Sequence, residues 1–178
     1  MSSIKLKGST SGEITISAPA IAGTNTLTLP ANTGTVGIVG PAFRAYQSSA
    51  QSVANTTFTK ISFDTEVFDT ASCYDTSNYR FTPNVAGYYY IKGMVRYTGT
   101  SDGKVLVARI YKNGSNDTAF EGSSSSSQSS TQTSALLHLN GSSDYVEFYS
   151  YHNYRVATNT GVFGSATVTF QGFLVSAT

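Results

Sequence analysis

The sequence predicts an all-β protein built as a sandwich or barrel, on three observations. Beyond Pro41, strand-length segments arrive at regular spacing, their apolar residues alternate with a period of two, and no helical period persists. Charged residues make up only 12% of the 178, about half the usual quarter. Ser, Thr, Gly and Tyr fill the polar positions instead, which favours strands and turns over helices. The length suits one medium domain with its own core plus a small appendage, hardly two full domains.

The appendage comes first. Ile4-Lys5-Leu6-Lys7, Glu13-Ile14-Thr15-Ile16 and Thr26-Leu27-Thr28-Leu29 read as two-faced strands separated by Gly, Ser, Pro and Asn. A segment of about forty residues buries too little apolar surface to fold unaided. Ile14, Ile16, Leu27 and Leu29 are therefore candidates for anchoring the chain to its sisters or to a partner, by strand addition to an exposed edge. The Gly-rich join from Gly37 to Pro41 marks a boundary. An anchor, residues 1–41, and a knob, residues 42–178, are expected.

In the knob, Tyr89, Ile91, Gly93, Val95 and Tyr97 form one apolar face of a strand, and Tyr88, Tyr90, Lys92, Met94 and Arg96 form the other. Val105 to Tyr111 leads into Lys112-Asn113-Gly114, where Asn-Gly predicts a tight reversal because both residues tolerate positive φ. Ser123 to Ser134 holds only Ser, Thr and Gln and is expected as an exposed loop, with a polar edge strand as the alternative. Val146 and Phe148 alternate with Tyr145, Glu147 and Tyr149. The last strand carries Val168, Phe170, Gly172 and Leu174 on one face, Phe173 and Val175 on the other. A second face that keeps aromatic and aliphatic residues is commonly covered by another subunit. Tyr88, Tyr90, Met94, Phe173 and Val175 are the interface candidates.

The net charge of +1 and pI near 7.8 supply no basic stripe, so nucleic acid is not an expected partner. No uncharged apolar run approaches membrane-spanning length and no signal sequence follows Met1, so neither membrane insertion nor secretion is expected. Cys73, the only cysteine, permits no intrachain disulfide and reads as a small buried hydrophobe. His138 and His152 stand at no metal-ligand spacing. Asp64, Asp69, Asp75, Asp102, Asp117 and Asp144 lack the alternation of a calcium loop, and turn or capping roles account for them. No metal or cofactor is expected.

Gly99-Thr100-Ser101-Asp102-Gly103 spells a nucleophile elbow, but it joins two β segments with no helix after it, so no catalytic residue is expected. Tyr149 to Arg155 is the densest recognition-type cluster. Two readings stand for it. Tyr151, His152, Asn153, Tyr154 and Arg155 contact a host receptor, glycan or protein; or the tyrosines pack in the core or at a subunit interface.

Phe63, Asp69, Tyr74, Phe81, Gly87 and Tyr89 follow one another at the intervals of a known signature. With them the stretch from Phe63 to Ile91 resembles the globular head of complement component one, q subcomponent, whose fold is like that of tumour necrosis factor. Ile91 stands where that family has Phe, and Gly93 where it has an aromatic residue. Ala42-Phe43, Lys112-Asn113-Gly114 and Phe170-Gln171-Gly172-Phe173-Leu174 extend the likeness over roughly residues 42 to 178. The resemblance implies a jelly-roll sandwich that forms a homotrimer through one sheet, with its termini together at the base. The collagen stalk of the complement branch is missing, because residues 1–41 have no Gly at every third position.

Instead, Thr26-Leu27-Thr28-Leu29-Pro30-Ala31-Asn32-Thr33-Gly34-Thr35-Val36 looks like a segment common near the N-termini of phage fibre and other virion proteins. Together the two resemblances imply a non-enzymatic structural protein on the virion surface of a tailed bacteriophage, made in the host cytoplasm. It would be a homotrimeric capsid decoration, cement or head-fibre protein whose residues 1–41 hold the major capsid protein or another virion component. The receptor-binding tip of a tail fibre is the alternative, weakened by the lack of a long shaft, heptads or repeats. A secreted lectin-like or cytokine-like ligand is a further one, and it would call for a signal sequence.

Overall fold

The computed structural model describes residues 3–17, 40–99, 103–124, 128–154, 158–160 and 168–178, and every regular element among them is a strand. The chain divides into two compact units, Met1–Val36 and Gly37–Thr178.

In the first unit, β1 (Ser3–Lys7) and β2 (Glu13–Ser17) pair as an antiparallel hairpin, as the alternation of Ile4 with Leu6 and of Ile14 with Ile16 predicts. The Gly8 N–H donates to the Gly12 carbonyl at 3.0 Å and closes the turn. A Cβ at Gly8 would stand 2.3 Å from the Ser11 carbonyl oxygen, so the sequence needs glycine there. The third expected segment, with Leu27 and Leu29, lies outside the described residues.

The second unit continues with β3 (Ala42–Tyr46), β4 (Ser52–Val53), β5 (Thr59–Lys60), β6 (Thr65–Asp69), β7 (Tyr74–Asp75) and β8 (Arg80–Phe81). Then come β9 (Ala86–Thr98), β10 (Val105–Lys112), β11 (Ser115–Ser123), β12 (Gln128–Asn140), β13 (Val146–His152), β14 (Thr158–Asn159) and β15 (Thr169–Ala177). One sheet has five strands in the order β12-β9-β15-β3-β6. The other has six, β11-β10-β13-β8-β7 with β5 also on β13. All pairings are antiparallel, and β4 with β14 forms a two-stranded patch.

Alternation decides which side of each long strand is buried. Tyr89, Ile91, Val95 and Tyr97 of β9 turn inward, and Phe148 of β13 meets them from the facing sheet. Gly93 has room for no side chain, since its Cβ would fall 2.1 Å from the Phe148 ring. That ring supplies from across the sandwich the bulk missing at this position. The turn predicted at Asn113-Gly114 is present, with φ of 52° and 77°. Within the Ser-rich run, residues 128–134 take the polar edge strand that stood as the alternative to a loop: they belong to β12, laddered to β9, with Ser129, Thr131 and Thr133 facing inward. Leu174 is packed against the core and only partly buried.

The signature residues converge on one aromatic block. Phe43 stacks on Phe81 at 4.4 Å and on Tyr74 at 4.9 Å, while Phe170 touches Phe43 and Phe63 at 5.1 and 5.6 Å. The Tyr74 hydroxyl donates to the Phe63 carbonyl at 2.9 Å, and the Tyr89 hydroxyl to the Val85 carbonyl at 2.7 Å. Asp69 accepts the N–H groups of Ala71 and Tyr74, which fixes the turn into β7. A Cβ at Gly87 would lie 2.3 Å from the Ser176 carbonyl oxygen, so glycine lets the last strand close on β9. These residues specify the fold.

Candidate assembly face

The outward face of the five-stranded sheet is built from directly opposed residues. One row reads Ala42, Phe173, Tyr90, Leu136 across β3, β15, β9 and β12. The next reads Phe68, Arg44, Gln171, Lys92, Ser134 across all five strands, and Tyr88 stands opposite Ser176 and His138. Leu136, Phe173 and Tyr88 are 64%, 50% and 46% exposed. Exposed apolar residues gathered on one face make it the candidate contact surface. The Tyr90 and Phe173 rings lie 5.7 Å apart, and Tyr90 stands between two grooves of about 560 and 220 Å³. Tyr90, Lys92, Phe120 and Gln132 line the larger; Arg44, Phe68, Tyr90 and Phe173 line the smaller.

The face has a gradient. The apolar row lies at the end where the chain enters at Ala42 and leaves at Ala177, and Arg44, Lys92 and Arg96 occupy the other half. Among the candidates named from the sequence, Tyr88, Tyr90, Met94 and Phe173 share this outward side, while Val175 is exposed at a bulge between Leu174 and Ser176. Phe68, Phe120 and Leu136 were not among the residues singled out from the sequence; their exposure emerges only from the placement of the edge strands β6, β11 and β12. Ile14 and Ile16 are exposed on the hairpin, together with Ile4 and Leu6.

The six-stranded sheet carries a different face. Glu147 points outward yet is only 2% exposed. Its Oε1 accepts from Arg80 Nη2 at 2.7 Å and Lys60 Nζ at 3.1 Å, and the Tyr149 hydroxyl reaches Oε2 at 3.4 Å. The Arg80 guanidinium lies 3.8 Å over the Tyr145 ring, Arg109 lies 3.8 Å over Phe58, and Tyr111 stacks on Tyr149 at 4.1 Å. These cations and rings pack on one another.

The cluster from Tyr149 to Arg155 does not form a receptor surface as a unit. His152 and Tyr154 are buried, because inward parity along β13 runs from Phe148 through Ser150 to His152. Asn153 accepts the Val105 N–H at 2.8 Å. Tyr151 is partly exposed with its ring on Phe58, and Arg155 lies outside the described residues. Receptor contact by His152 and Tyr154 is thereby corrected; both belong to the interior.

His152 Nδ1 accepts the Tyr154 N–H at 3.2 Å, and Nε2 lies 2.8 Å from the Val53 carbonyl, so the ring is held neutral with the proton on Nε2. Burial pushes its pKa below the ordinary imidazole value, although the bond to Val53 opposes this. With the folded value depressed, the stabilisation is complete above about pH 6.5 and is lost as pH falls through the folded value. The urea midpoint is expected to drop between pH 7 and 5, and His152→Gln to flatten that slope. An unchanged slope would remove His152 as its source. Asp75, held low by Ser77 and Asn78, and Asp144, held low by Asn113, titrate below this window.

Asp64, Asp69, Asp75 and Asp144 each accept at least one backbone N–H. Among the described residues no group of three or more His, Cys, Asp and Glu is placed to hold a metal ion. Gly99 and Gly103 flank a connection between β9 and β10, with no helix following; residues 100–102 lie outside the described residues.

No curated protein matches the sequence. Among solved structures, the globular domain of the zebrafish complement 1qA protein is similar, at 18% identity over 78% of this chain and 99% of that one, with a TM-score of 0.57. Eiger TNF from S. frugiperda gives 11%, 80%, 96% and 0.59 in the same order, and murine APRIL 11%, 76%, 99% and 0.57. At these identities the likeness is one of fold. The C1q domain model matches residues 42–175. The chain, a jelly-roll sandwich over three quarters of its length, belongs to the C1q domain family.

Proposed function

We propose that the protein is a non-enzymatic homotrimeric knob displayed on the surface of a bacteriophage virion, as a capsid decoration or head-fibre protein held through residues 1–41. The observation that carries the trimer is the uncovered apolar row Phe173, Tyr90 and Leu136 on the outward face of the five-stranded sheet. A threefold contact joins two different patches. The exposed apolar residues are divided accordingly, with Val67 and Phe68 along β6 at one side and Phe120 and Leu136 on β11 and β12 at the other. Phe173 lies between them. Attachment to a larger body is supported by the separate N-terminal hairpin and by the virion-like segment from Thr26 to Val36.

Native mass spectrometry of the full chain should give the trimer mass at micromolar concentration. Phe173→Asp should give monomers, because three carboxylates would be desolvated near one axis. A monomeric wild type would refute the interface. Full-length protein should co-sediment in high copy with particles lacking it, and a chain beginning at Pro41 should stay trimeric in solution without binding them. Equal binding by the truncated chain would refute the anchor. Occupancy confined to the tail would favour the tail-fibre alternative.

A further inference from the structure

The N-terminal hairpin is two-faced in a stricter way than its sequence alone conveys. Ile4 lies opposite Ile16 and Leu6 opposite Ile14, so four aliphatic side chains share one face, each more than half exposed. Ser3, Lys5, Lys7, Glu13, Thr15 and Ser17 take the other, where Lys5 Nζ pairs with Glu13 Oε1 at 2.7 Å. A two-stranded ribbon is marginally stable at best in water, so this face calls for a cover.

Its chemistry selects the occupant. Surfaces that recognise a separate partner draw their affinity from Trp, Tyr and Arg anchors. This one has none, and it offers no hydrogen-bonding group. Interfaces between permanently joined copies resemble a domain core cut in half, and an unbroken patch of Ile and Leu is such a surface. Three chains joined through their knobs would also hold three identical hairpins at roughly millimolar effective concentration.

We propose that the three hairpins of one trimer close their Ile4, Leu6, Ile14 and Ile16 faces on one another, forming a second small core made only of residues 3–17. This rests on the trimer reading above. It leaves the outer backbone edges of β1 and β2 free for strand addition, so self-association and attachment use different parts of the same hairpin.

Hydrogen exchange on the full-length chain tests it. The ladder amides of residues 3–17 should be protected at least about 30-fold in the wild-type trimer. Leu6→Asp with Ile14→Asp should abolish the protection while leaving the trimer mass unchanged, and Leu6→Met with Ile14→Val should keep it. Protection should also be lost in the monomeric Phe173→Asp chain. An unprotected hairpin on an intact trimer overturns this inference alone, as does protection that survives either the double Asp variant or Phe173→Asp. A wild type that is monomeric overturns both this inference and the trimer.

Discussion

Replacing Phe170 with alanine is expected to cost the knob about 3–5 kcal/mol, a large part of the roughly 5–15 kcal/mol by which domains are stable. Phe170 is fully buried on β15, and the residues opposite it on the two neighbouring strands are Ala45 and Gly93. Both neighbours are small, and the inward space at Gly93 is taken by the Phe148 ring, so Phe170 packs between that ring and the aromatic block. Around it Phe43, Phe63, Tyr74 and Phe148 lie with ring centroids 5.1 to 6.3 Å away. Those rings also pack on one another, so they cannot swing into the vacated volume without giving up existing contacts, and the cavity should persist. Urea unfolding measures the loss, at fixed chain concentration because assembly adds to apparent stability. Phe170→Leu should recover more than half of it. A loss below about 1 kcal/mol for the alanine variant would mean that the ring is not part of the core.

Period-two alternation made much of this legible. Along β9 the two faces read from Tyr88 to Tyr97 are the two faces found, because both sides of that strand carry large side chains and a one-residue slip would exchange them. The same parity, carried from Phe148 through Ser150, places His152 inside; treating residues 149–155 as one recognition cluster ignored it. In the Ser-rich run the edge strand prevailed over the loop for another reason. Composition gave residues 128–134 no apolar drive, yet pairing with β9 satisfies the backbone whatever the side chains are. Tyr97 and Val95, opposite Ser129 and Thr131, supply the bulk on the inner side. Glu147 was illegible from its own segment, since the groups that bury it come from β5 and β8, strands far away in sequence.

That remoteness gives Glu147→Gln the second large effect. Removing one member of a buried ion pair typically costs about 3–5 kcal/mol, because the surviving charge is left without its partner. Here the carboxylate is buried, whereas the Lys60 and Arg80 side chains keep 29% and 32% of their surface exposed, so water can partly solvate the stranded cations. The expected loss is therefore smaller, about 2–3 kcal/mol by the same reasoning. It should vary little with salt, because the carboxylate oxygens lie beneath their partners. The pair between Lys112 and Asp144, at 3.2 Å, is the internal comparison. It closes a turn at the protein surface, and its loss through Lys112→Met should cost no more than about 1 kcal/mol. Denaturation of the two variants side by side decides the matter. Equal small losses would show that Glu147 is solvated in the working protein, and β5 and β8 would then be held to β13 by backbone pairing and ring packing alone.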